Sequence, residues 1–122
     1  SGMQIMARHS EEGDANGLGW LNAEVKKFRA EQFDDIQIPH MGWNTVNPVN
    51  NQLFEGIDVS SRFYFVHSYY FANSNPENIA ATTNYAGSFT SAVKRDNIYG
   101  VQFHPEKSHE NGLQLLKNFA EL

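Results

Sequence analysis

Between Arg62 and Phe71 the chain reads RFYFVHSYYF, a run in which six of ten residues are aromatic. Side chains of that size and β propensity do not belong in a solvated loop, so the run is read as one largely buried strand. Whatever else the chain forms must supply a sheet around that strand and an apolar layer to cover it. A chain of 122 residues has room for one such core, and residues 1–122 are read as a single domain.

Shorter segments supply the neighbours. AEVKKF (Ala23 to Phe28) and IQIPHMGWN (Ile36 to Asn44) read as strands, with Pro39 at an edge or a strand end. Ile79 to Thr83, Phe89 to Lys94 and Ile98 to Phe103 are three more, the last two joined by a tight hairpin at RDN. SEEGDANGLG, the Asn-rich stretch Asn44 to Asn51, and ANSNPEN read as loops, and Met3 to His9 as a short helix. After Ser108, a credible N-cap, the period changes. Leu113, Leu116 and Ala120, beside Leu115 and Phe119, form a helical stripe. The expectation is a mixed α/β domain with strands in the majority.

Charge and composition narrow the function. The net charge is −5 and no basic stripe is present, which argues against nucleic acid or an anionic membrane as partner. No run has the apolar length to cross a bilayer and the first residues do not read as a secretory signal, so a cytoplasmic location is expected. Cysteine is absent, which excludes disulfides, zinc–thiolate sites and a cysteine nucleophile within these residues. His9, His40 and His109 show no metal-ligand spacing, and neither a metal site nor a cofactor is expected.

Chemistry concentrates in GVQFHPEKS, Gly100 to Ser108. A strand ends at His104, Pro105 cannot continue a hydrogen-bond ladder, and Glu106 follows on the turn. The carboxylate can hold one imidazole nitrogen while the other faces a nucleophile, which is the orienter-and-base logic of a catalytic triad. The same spacing also suits a plain turn between a strand and a capped helix. Spacing alone leaves both readings open.

The longer string YGVQFHPEKSHENGLQLLKNF closely resembles the C-terminal signature of class I, triad-type, glutamine amidotransferase domains. IPHMGWN, FYFVHSYY and ATTNY look like segments of the glutaminase subunits of imidazole glycerol phosphate synthases, in the same order along the chain. The resemblance runs from residue 2 or 3 to the end. It implies a flavodoxin-like α/β domain, a mixed sheet with flanking helices whose N-terminal strands would be missing here. It also implies a Cys–His–Glu triad that hydrolyses glutamine to glutamate and ammonia without a cofactor. By the resemblance His104 is the general base and acid and Glu106 orients it. Gln4, Ser68 and Tyr69 fall on the positions that contact the substrate glutamine, while His67 reads as structural.

In the family the cysteine sits in a Gly-x-Cys-x-Gly-x-Gln pattern, of which SGMQ, Ser1 to Gln4, matches only the end. Aligning Gly2 and Gln4 places the nucleophile one residue ahead of Ser1. A polypeptide of these residues alone is therefore expected to be inactive. Ser1 acting through its own α-amino group would require another architecture.

The resemblance further implies a partner, a barrel-shaped cyclase subunit that receives the ammonia. Met41, Gly42, Trp43 and Asn44 of HMGWN and Lys107 of HPEKS fall at the contact, Trp43 as an aromatic anchor and Lys107 as an ion-pair donor. A core plug and a solvated lysine are the plain alternatives. Ala86, where the family more usually has glycine, is a local departure at a turn. A sheet without its first strands would expose an apolar edge, so self-association is a further expectation. A glutaminase-like subunit of a surface-polysaccharide pathway and a catalytically dead interaction module remain open beside the synthase subunit.

Overall fold

The computed structural model describes residues 9–10, 15–16, 24–28, 38–49, 51–72, 75–85, 87–96 and 98–122. Ten strands and one α-helix are present among them: β1 (His9–Ser10), β2 (Ala15–Asn16), β3 (Glu24–Lys27), β4 (His40–Thr45), β5 (Asn47–Pro48), β6 (Arg62–His67), β7 (Tyr69–Ala72), β8 (Ile79–Asn84), β9 (Ser88–Arg95), β10 (Ile98–Val101) and α1 (His109–Ala120). An eight-stranded mixed sheet runs β2-β1-β3-β7-β9-β8-β5, with β10 also paired to β9; β4 and β6 form a separate antiparallel pair.

The aromatic run is not one strand. Phe63, Phe65 and His67 alternate into the core along β6, and at Ser68 the path breaks. Beyond it β7 leaves the β4–β6 pair and joins the large sheet between β3 and β9. The Ser68 carbonyl is taken by the Phe28 N–H (2.9 Å), which ties the crossing point to the end of β3. One continuous aromatic segment therefore serves two sheets, and its rings join them. Phe103 contacts Phe63 (4.4 Å between centroids) and Phe65 (5.6 Å), and Phe89 contacts Phe65 (6.0 Å) and Phe28 (5.7 Å). Each such buried ring contributes about 1.5–3 kcal/mol through the area it removes from water.

Several local expectations change. The Asn44–Asn51 stretch is not all loop: Asn44 and Thr45 close β4, and β5 pairs with β8 around a buried Val46. His9 opens β1, which pairs antiparallel with β2 inside the segment read as loop; the rest of the expected Met3–His9 helix lies outside the described residues. The RDN hairpin joins Arg95 to Ile98, with Asp96 at φ 54°. Pro39 directly precedes β4, at its end as expected.

Helix α1 turns only Leu115 of the apolar stripe inward. Its buried residues are Gly112, Leu115 and Asn118, whereas Leu113, Leu116 and Phe119 are exposed. Asn118 explains the orientation, because its amide donates to the carbonyls of Leu53 (2.9 Å) and Glu55 (2.7 Å). Among the described residues no helix is long and apolar enough to cross a membrane. Asn118→Ala is expected to leave those two carbonyls unsatisfied and to cost about 1–3 kcal/mol, read as a lowered midpoint in denaturant titration.

Candidate functional site

His104 lies just past β10, where the chain crosses to the β4–β6 pair. It forms an isolated bridge with Tyr64, the His104 N–H donating to the Tyr64 carbonyl at 2.9 Å. Tyr64 is in turn opposite Trp43 on β4. Residues directly opposite in a ladder project to the same face, so Trp43, Tyr64 and His104 stand side by side. The rings of Trp43 and Tyr64 meet edge to face at 5.7 Å, and His109 stacks on Trp43 at 5.3 Å.

The turn itself is fixed by Ser108. Its buried hydroxyl donates to the His104 carbonyl (2.6 Å) and accepts the Tyr64 N–H (3.0 Å). Ser108 thus occupies the N-cap position of α1 without capping it; its hydroxyl is spent on tying the turn to β6. Asn111 adds a bond to the Arg62 carbonyl at 2.9 Å.

Against this frame His104 Nδ1 lies 2.8 Å from Glu106 Oε1. The Glu106 carboxyl is held below the usual carboxylate range, first by its own backbone N–H and then by the hydrogen bond to His104 and the nearby charges of His104 and Lys107. An ionised carboxylate only accepts, so Nδ1 carries a proton, and Nε2 is the ring nitrogen left to give or take one. Both side chains are substantially exposed, 36% and 63%. An ion pair so placed adds little stability, at most about 1 kcal/mol; its consequence is orientation of the ring.

The face beside His104 is apolar and open. Met41 is 61% and Trp43 44% exposed, projecting from β4 while His40, Gly42 and Asn44 turn the other way. Gly42 has φ 123°, a backbone conformation that glycine alone takes without strain. Lys107 is exposed on the turn. Ser68 and Tyr69 lie at the crossing of the two sheets, four and five residues beyond Tyr64, with both side chains half-buried. Gln4 lies outside the described residues, as does Ala86. Described groups of His, Asp and Glu include none that could hold a metal ion.

Behind β4 lies a feature that sequence reasoning missed, a pair of buried imidazoles. His40 Nδ1 and His67 Nε2 are 2.8 Å apart, and His67 Nδ1 is 2.7 Å from the Tyr69 carbonyl. His40 stacks between Tyr85 (3.9 Å) and Phe65 (4.7 Å). Only the register of β4 on β6 makes His40 and His67 opposite neighbours, and no sequence spacing signals it. Desolvation lowers both pKa values to about 4; the neighbouring His67 adds to the shift of His40, and His104 to that of His67, against the raising effect of the Tyr69 carbonyl.

A folded-state pKa below the ordinary 6.5 means that the unfolded chain binds more protons between those values. Stability contributed by the neutral pair is therefore complete above pH 6.5, is lost as the pH falls from 6.5 towards 4, and changes little from this source below 4. The expected loss is up to about 3 kcal/mol per imidazole. Denaturant titration across that range checks it, and His40→Phe should remove part of the slope.

Comparison with known proteins gives a consistent family. The family model described as "Glutamine amidotransferase class-I" matches residues 1–122. Imidazole glycerol phosphate synthase subunit HisH of Leptospira borgpetersenii is 51% identical, over 99% of this chain and 60% of its own length. Subunit HisH 2 of Pseudomonas aeruginosa is also 51% identical, over 99% of this chain and 59% of its own. The chain thus spans about 60% of the length of the curated relatives it matches. Among solved structures, a Thermoplasma acidophilum protein described as a GMP synthase subunit shares the fold, with a TM-score of 0.63 at 22% identity over 82% of this chain and 48% of that one.

Proposed function

The chain belongs to the class-I glutamine amidotransferase family, and we propose that it is part of the glutaminase subunit of an imidazole glycerol phosphate synthase. The residues act as one unit in this reading. The observation that carries it is the contact of His104 Nδ1 with Glu106 at 2.8 Å, on a turn bridged to Tyr64, itself opposite the exposed Trp43.

In the proposed reaction a cysteine thiolate attacks the side-chain amide carbon of glutamine. These 122 residues contain no cysteine, so the thiolate comes from outside them. The tetrahedral adduct collapses as protonated His104 passes a proton from Nε2 to the leaving nitrogen, releasing ammonia and a thioester. Neutral His104 then takes a proton from water as it attacks the thioester carbonyl, and glutamate and the thiolate are released. Glu106 keeps the imidazole in the Nδ1–H tautomer throughout and stabilises its protonated form. Ser68 and Tyr69, with Gln4, hold the glutamine.

Ammonia is lost if it escapes to water, which favours a partner seated at the mouth of the site. The exposed Met41 and Trp43 on β4 and Lys107 on the catalytic turn form the contact to a barrel-shaped cyclase subunit, whereas Gly42 and Asn44, also expected there, turn to the other face of the strand. Apolar anchors ringed by polar groups suit such a contact. The names and identities of the relatives support the synthase over other amidotransferases. The test is glutamate release from glutamine by the native-length protein, with and without the cyclase subunit. Release stimulated by the cyclase is expected; absence of release in both conditions overturns the reading.

A further inference from the structure

We propose that Asn44, His40 and His67 form a one-way hydrogen-bond relay that positions the Ser68–Tyr69 backbone, coupling the strand that carries Met41 and Trp43 to the segment that holds the substrate. The functional half of this inference rests on the glutaminase reading above; the relay itself does not.

The direction of each bond follows from its far end. The Tyr69 carbonyl can only accept, so His67 donates through Nδ1–H and its Nε2 carries a lone pair. That lone pair lies 2.8 Å from His40 Nδ1, which must donate in turn. His40 Nε2 is left as an acceptor, and the Asn44 amide faces it at 3.4 Å while also donating to the Asn84 carbonyl at 3.1 Å. Neutral imidazoles have one donor and one acceptor each, so fixing the last bond fixes all of them. Both rings are buried and held among aromatic neighbours, His40 stacked between Tyr85 and Phe65 and His67 edge-on to Phe28 (5.3 Å) and tilted against Phe89 (5.1 Å).

The relay ends where β6 gives way to β7. In a trans peptide the Tyr69 carbonyl and the Tyr70 N–H point in opposite directions, so the imidazole that holds one orients the other. The preceding carbonyl, of Ser68, is held by the Phe28 N–H. Two successive peptide planes are therefore clamped at the point where the chain changes sheets. Strand β4 presents Met41 and Trp43 on one face and His40 and Asn44 on the other, so displacement of β4 is felt first by the relay. His40 and His67 touch no reacting atom and are positioning residues.

The first measurement is the tautomer of each histidine in the wild-type chain, read from long-range imidazole 15N–1H correlations at pH 7.5. Nδ1–H is expected for both His40 and His67; Nε2–H on either overturns the relay. The second uses the native-length protein with its cyclase subunit. His40→Phe keeps the stacking but cannot donate, and is expected to shift the Tyr70 amide resonance and raise KM for glutamine about tenfold with kcat changed less than about threefold. His40→Gln, whose amide can still donate to His67, should hold KM within about twofold of wild type. An unchanged KM in His40→Phe, or an equal rise in both variants, overturns the positioning role; if His40→Phe does not fold, a tenfold rise in His40→Gln does so. Absence of glutamate release by the wild type defeats the glutaminase reading, while the tautomers still decide the relay.

Discussion

Gly112→Ala is expected to lower stability by at least about 3 kcal/mol, the upper end of what overpacking usually costs, although helix propensity alone gives the opposite sign. Gly to Ala inside a helix gains about 1 kcal/mol in isolation. Here a Cβ on residue 112 would collide with the Pro105 carbonyl oxygen and lie 2.7 Å from its carbon and 3.2 Å from its Cα. Those are backbone atoms, so no rotamer change relieves the contact. The same carbonyl accepts the Ser108 N–H at 3.0 Å, and the Gly112 N–H donates to the Ser108 carbonyl at 3.2 Å. Either α1 withdraws, losing the packing of Leu115 and the two bonds of Asn118, or the turn carrying His104 and Glu106 shifts. Thermal unfolding should show a midpoint lowered by roughly 10 °C or more. A raised midpoint would show that helix and turn are not in the contact described.

The other large effect is chemical. His104→Ala in the native-length protein is expected to lower kcat for glutamine hydrolysis by at least about a thousandfold, since it removes both proton transfers. Stability should change little, because the ring is substantially exposed and its ion pair weak. Glu106→Gln should cost less: the ring stays near its place, but the neutral amide neither fixes the tautomer nor stabilises the imidazolium. Parallel glutamate assays and unfolding curves separate these outcomes. A loss of activity that merely follows a loss of fold would remove His104 from the mechanism.

The sequence was informative where chemistry is local. Pro105 ends the ladder and Glu106 follows within one turn, so the meeting of His104 with Glu106 could be read from GVQFHPEKS. The strand–strand–helix order at the C-terminus was legible for the same reason, from a change of period. Three features were not. Nothing in RFYFVHSYYF marks the break at Ser68, because both sides of it satisfy the same demand for buried aromatics. The inward face of α1 was not legible from the stripe of Leu113, Leu116 and Ala120 beside Leu115 and Phe119, of which only Leu115 is buried; a close backbone approach at Gly112 and an amide reaching two carbonyls at Asn118 decide the orientation. His40 and His67 stand 27 positions apart and meet only through strand register. Long-range pairing, tight backbone approach and buried polar bonds are properties of the assembled sheet, and a linear pattern carries little trace of them.

The central claim is that these residues supply the base and its orienter for glutamine hydrolysis but not the nucleophile. It is tested most directly by measuring glutamate release, in the presence of the cyclase subunit, from the 122-residue polypeptide and from one extended at its N-terminus to the length of the relatives, with the family's Gly-x-Cys pattern included. The first is predicted to stay at the blank, and the second to turn over glutamine in a manner that His104→Ala removes. Turnover by the cysteine-free polypeptide, or undiminished turnover after His104→Ala, would contradict the account.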